Sequence, residues 1–135
     1  MLSRQVRSRL FTLPGLTDVG VRDRRLLSRS GTPMTYLSGA TLVDPAVPDV
    51  RLRIVLDGLV RIDVDGESVG DVGAGSLLGL PQSTHASITA VARTDVRTVV
   101  LAIPVLRVVA QRDDTVAFWM QRDSDIAGMA RRRPA

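Results

Sequence analysis

The chain has 135 residues, 44% of them hydrophobic and 24% charged, which is enough to bury one core, and a single domain over residues 1–135 is expected. There is no cysteine and only one histidine, which excludes disulfide frameworks, thiolate metal sites and centres that need several imidazoles on one ion. The net charge is +4, and all 18 basic residues are arginine; residues 1–30 hold seven of them against two acids, whereas residues 31–121 hold seven against ten, so the positive charge lies at the ends, as a solvated helical surface or a docking face for an acidic partner.

Leu2, Val6 and Leu10 recur at helical spacing and predict a short amphipathic helix that stops near Pro14-Gly15. Thr17 or Asp18 is expected to cap a second helix running to Ser28, which Gly31-Thr32-Pro33 ends. The period then changes to two, and Met34 to Leu37, Ala40 to Val43 and Arg51 to Asp57 read as strands. Val60, Ile62 and Val64 alternate with Arg61, Asp63 and Asp65, and Asp65-Gly66 is a tight-turn pair, so Leu59 to Val69 reads as a half-buried hairpin. Further strands are predicted at Ser68 to Val72, Ser87 to Ala92 and Val96 to Ile103.

Pro104 suits the first turn of a helix that buries Leu106, Val109 and Ala110. Asp113-Asp114 is expected to cap a last helix from Thr115 to about Arg131, with Val116, Trp119, Met120, Ile126 and Met129 on its apolar side. The expected fold is α+β and mainly β: an antiparallel β-roll or jelly roll over 31–103, flanked by helices within 1–30 and two closing helices over 104–131. The longest apolar run is interrupted by Arg107 and residues 1–30 contain no signal-peptide core, so a cytoplasmic protein without membrane insertion is expected.

Several stretches carry a family resemblance: Phe11 and Leu13 before the first full helix, the Ser38-Gly39 turn, the strand-turn-strand Arg53 to Ile62, and Gly73-Ala74-Gly75-Ser76-Leu77-Leu78-Gly79. In this order, over about residues 5 to 130, the chain resembles the cyclic-nucleotide-binding domain family, the catabolite-activator-like β-roll. The resemblance implies a phosphate-binding cassette over Gly79, Leu80, His85, Ala86 and Ser87. In the family a Glu pairs with the ribose hydroxyl and an Arg with the cyclic phosphate; the matching residues here are Leu80 and Ala86, so this is a degenerate member.

A buried phosphate needs a positive partner and N–H donors, and each lost charge-assisted bond costs about 1.5–3 kcal/mol. The segment is also short, seven steps from Gly79 to Ala86, and Pro81 lacks a backbone donor. Ser87 falls at the family's Ser/Thr beside the Arg, and Ser76, Gln82, Ser83, Thr84 and His85 could line a differently charged pocket. Arg93 and Arg97 are either replacements for the lost Arg or outward residues of a strand pair.

Trp119, Met120 and Ile126 either pack on the roll or form an interface, with a protein partner or homodimer meeting the C-terminal helix. The helix-turn-helix of the family's transcription regulators has no counterpart after this helix, so sequence-specific DNA reading is not expected. Nor is an enzyme, since no nucleophile and base can be paired. The expected function is a stand-alone regulatory or interaction domain without cofactor, and without tight binding of cyclic AMP or cyclic GMP. The alternative is a small-ligand or cyclic-nucleotide sensor that moves its C-terminal helices on binding.

Overall fold

The computed structural model describes residues 1–47, 49–81 and 87–124. Helices α1 (Arg4–Leu10) and α2 (Val21–Ser30) precede eight strands: β1 (Thr32–Tyr36), β2 (Thr41–Val43), β3 (Arg51–Asp57), β4 (Val60–Val64), β5 (Glu67–Val72), β6 (Leu77–Leu78), β7 (Ile88–Ala92) and β8 (Val96–Ala102). Helices α3 (Ile103–Ala110) and α4 (Asp114–Asp123) follow. The strands form two antiparallel sheets, ordered β1-β8-β3-β6 and β2-β7-β4-β5. This is the mainly β, α+β roll that the sequence predicts.

Strands β3 and β8 read as nearly continuous apolar runs because both their faces are covered. Leu52, Ile54 and Leu56 of β3, with Val99 and Leu101 of β8, face a layer built from Leu10, Leu16, Leu27, Leu106, Val116 and Trp119 of the helices and their connections. On the other face Val55 and Val96 meet Val60, Ile62 and Val64 of β4 and Ala90 and Ala92 of β7, which fill the inside of the roll. Strand β4 has one buried face only, and its burial alternates with its sequence. Asp65 and Gly66, at φ of 51° and 85°, make the turn to β5; both positive angles are those of the primed hairpin turn.

The helix ends follow from local chemistry. Asp113 caps α4 through a carboxylate that accepts from the N–H groups of Thr115 and Val116. Pro104 lies in the first turn of α3. The start of α2 differs from the expectation: Gly20, not Thr17 or Asp18, holds the cap position. Leu16 and Val19 are drawn into the core, and Arg24 donates to the carbonyls of Thr17 and Val19, which keeps 16–20 as a turn. The two-residue β6 was not predicted, and the predicted continuation of the last helix to Arg131 lies outside the described residues.

One ion cluster ties the helical end to the first sheet. Asp57, at the end of β3, accepts from Arg97 of β8 and from Arg9 of α1. Arg97 first, then Arg9, holds this carboxyl below its ordinary range against the opposing effect of burial. Arg9 also donates to the Leu56 carbonyl.

Candidate functional site

The segment leading into the cassette is fixed at both of its faces. Gly75, at φ +89°, donates its N–H to the Val55 carbonyl, and Val55 N–H returns a bond to the Ser76 carbonyl. Leu77 and Leu78 then pair with Ile54 and Arg53. Gly79 turns the chain at φ +96°, where a Cβ would stand 2.9 Å from the Arg51 carbonyl oxygen; backbone angle and close approach both call for glycine. Beyond this turn Leu80 is only 5% exposed and joins the apolar layer beneath the helices, whereas Leu78 faces the inside of the roll.

His85 and Ala86 lie outside the described residues, as do Gln82, Ser83 and Thr84. Ser87 is exposed and its backbone is held by the β4–β5 turn: its N–H donates to the Asp65 carboxylate and its carbonyl accepts from Asp65 N–H. Arg93, in the turn between β7 and β8, pairs with Asp71 of β5, and Arg97 of β8 pairs with Asp57 at the end of β3.

Side-chain bonds join helix α4 to the Gly75 to Leu77 backbone. The fully buried Asp123 accepts from the Leu77 N–H at 2.8 Å, and Trp119 Nε1 donates to the Gly75 carbonyl at 2.7 Å. Asp123 also accepts from Arg122 at 3.0 Å. The indole rests on Gly15, where a Cβ would lie 2.6 Å from Trp119 Cε3. The interface expectation is thereby corrected at Trp119: it is 3% exposed within its own chain, because its ring is enclosed between this glycine and the sheet-side core. Met120 packs half-buried beside it, and Ile126 lies outside the described residues.

The mouth of the roll holds a cavity of about 400 Å³, within the size range of small-ligand sites. Strand β2, the following loop, Arg51 and Arg53 of β3, and Gly79 line it. Arg53 is the feature that sequence reasoning missed. It is 9% exposed and shares the roll-facing side of β3 with Arg51 and Val55, opposite the Leu52, Ile54 and Leu56 side that meets the helices. Its Nε donates to the Tyr36 hydroxyl at 2.7 Å and its Nη2 to Asp49 at 3.0 Å. Asp49 also accepts from the Arg51 backbone and guanidinium. Hydrogen bonds from Arg51, then Arg53, hold this carboxyl well below the usual carboxylate range. Among the described residues, no three acidic or imidazole groups converge as a metal site would need.

No protein-family model matches the sequence, and no curated protein does. Solved structures do. A protein from Geobacter metallireducens described as cyclic nucleotide-binding matches with a TM-score of 0.69 at 18% identity, over 98% of this chain and 100% of its own. The PKAR CBD2 domain bound to Sp-2Cl-cAMPS matches with a TM-score of 0.68 at 15% identity, over 88% of this chain and 84% of its own. The chain has the fold of a cyclic-nucleotide-binding domain. A third structure on this fold, oxidized CprK in complex with o-chlorophenolacetic acid, matches with a TM-score of 0.60 at 22% identity, over 83% of this chain and 49% of CprK. Within the fold, α4 is fastened to the Gly75 to Leu77 backbone. Among the described residues no helix is long and apolar enough to cross a membrane.

Proposed function

We propose that the chain is a regulatory or interaction domain on the cyclic-nucleotide-binding fold whose cassette no longer holds cyclic AMP or cyclic GMP tightly. The observation that carries this reading is the placement of Leu80. The sequence resemblance matches it to the family's ribose-binding Glu, and its side chain belongs to the apolar layer under the helices, so in this reading neither its chemistry nor its direction offers an acceptor to a sugar hydroxyl. Ala86, at the position of the phosphate-binding Arg, brings no charge. A cyclic phosphate taken from water without these groups loses several charge-assisted bonds.

In this reading the domain is not an enzyme, folds as one unit over 1–135 and works in the cytoplasm. Its output is contact with a protein partner or a second copy through α4, where Phe118 is 66% exposed. Thermal unfolding tests the lost chemistry: a ligand at a hundred times its dissociation constant adds about 2.7 kcal/mol of stability, which moves the midpoint by several degrees. Micromolar cyclic AMP and cyclic GMP are expected to leave the midpoint unchanged. A saturable rise of several degrees with either nucleotide would refute the proposal.

A second reading, a small-ligand sensor, draws on two observations. The cavity at the mouth of the roll adjoins Gly79, and the cassette entrance is hydrogen-bonded to α4, so a ligand there would be two contacts away from the helix. The CprK complex offers a precedent for a small organic acid on this fold.

A further inference from the structure

The cavity at the mouth of the roll contains a pair of arginines whose present partner is a carboxylate from the adjoining loop. Arg53 and Arg51 are two residues apart on β3 and line the same space, and Asp49 lies between their guanidinium groups. Its carboxylate takes four N–H bonds: the backbone and Nε of Arg51 at 3.0 and 3.2 Å, Nη2 of Arg51 at 3.3 Å, and Nη2 of Arg53 at 3.0 Å. This is the donor pattern that a free carboxylate or phosphate group attracts. Leu42, Val43, Pro45 and Val47 give the rest of the wall its apolar part, and Thr41 and Asp44 its polar part; the Asp44 carboxylate is engaged by the Ala46 N–H of its own turn.

We propose that Arg51 and Arg53 form a binding site for a small organic anion, an apolar body carrying a carboxylate or phosphate, and that Asp49 is its built-in competitor. The site draws on neither Leu80 nor Ala86; it rests on the small-ligand reading of the same cavity and names the ligand's chemical class. Two features support displacement of Asp49. It sits on a loop and its side chain is 28% exposed, so its ion pairs are partly screened by water. Arg53, by contrast, is held in place from behind by the Tyr36 hydroxyl, so its guanidinium stays oriented toward the cavity when the carboxylate leaves. A tethered competitor acts at high effective concentration, so it weakens a ligand's apparent affinity without abolishing the site.

Calorimetric titration with phenyl phosphate tests the assignment. The Asp49→Asn variant is expected to bind it at least about tenfold more tightly than wild type, the scale of one charge-assisted contact. The gain is expected to disappear when Arg53→Met is added. Because Arg53 is buried, Arg51→Gln provides a second arm at a half-exposed side chain, and it is expected to weaken binding by Asp49→Asn about tenfold. Inorganic phosphate is expected to bind Asp49→Asn more weakly than phenyl phosphate does. Equal affinity for the two anions, no gain on removing the Asp49 charge, or a gain that survives both Arg53→Met and Arg51→Gln, each added to Asp49→Asn, would overturn the proposal. Cyclic AMP titrated in parallel separates the two readings: tight binding indifferent to Asp49 and Arg53 would sink the lost-cassette reading and leave this site standing.

Discussion

Leu80→Glu is expected to destabilise the fold by about 3–5 kcal/mol, the penalty for an uncompensated charge in an apolar interior, and not to create a ribose-binding acceptor. The substitution restores the family's residue at this position in name only. Gly79 turns the chain at positive φ, and the following side chain enters the layer shared by Leu52, Leu77 and Leu106, away from the cavity lined by Arg51 and Arg53. Leu80→Met, which keeps volume and polarity, should cost less than about 1.5 kcal/mol. Urea unfolding followed by circular dichroism measures both. A Leu80→Glu variant as stable as wild type would mean that the side chain reaches the cavity or solvent and that the cassette retains the family's geometry.

Trp119→Ala is expected to cost about 3–5 kcal/mol, as is usual for a large aromatic side chain removed from a core. It also removes the bond to the Gly75 carbonyl, while the bond from Leu77 N–H to Asp123 remains. Gly15→Ala approaches the same contact from the other side. Its new methyl group would overlap the indole, so a loss of about 1–3 kcal/mol is expected together with a red shift of tryptophan emission as the ring leaves its seat. The chain has one tryptophan, so the emission reports this site alone. Unchanged stability and emission in Gly15→Ala would show that α4 does not rest on the Gly15 turn.

The parts of the fold that were legible in the sequence are those governed by neighbours in sequence. The alternation of Val60, Ile62 and Val64, the Asp65-Gly66 turn and the Asp113 cap each express a rule that acts over two to four residues. The start of α2 was not legible, because Leu16, Val19 and Arg24 keep the potential caps Thr17 and Asp18 in a turn through tertiary contacts. Strand β6 is too short to show any period, and it exists because Leu77 and Leu78 lie against β3. At the site, the apolar character of Leu80 could be read directly, but the direction of its side chain depends on the Gly79 turn.

Arg53 had a visible signal that was passed over: a charge flanked by Leu52 and Ile54 on a doubly buried strand. Such a residue demands partners, here Tyr36 and Asp49. Trp119 could be read as packing or as interface because helical spacing identifies an apolar face without saying what covers it. The bond between Asp123 and Leu77 spans 46 residues and has no local signature at all.

The central claim is that the Gly75 to Leu80 segment serves as the joint between the roll and α4, and not as a nucleotide cradle. Amide hydrogen exchange at Leu77 tests it most directly. Asp123→Ala leaves that buried N–H without its acceptor, and its exchange is expected to rise at least about tenfold, from a penalty of about 1–3 kcal/mol, while Asp123→Asn, which keeps an acceptor, stays close to wild type. Cyclic AMP at about 1 mM, enough to fill any site with a dissociation constant below roughly 0.1 mM, is expected to leave Leu77 exchange in the wild-type protein unchanged. Protection of Leu77 by the nucleotide, or exchange indifferent to Asp123→Ala, would contradict the account.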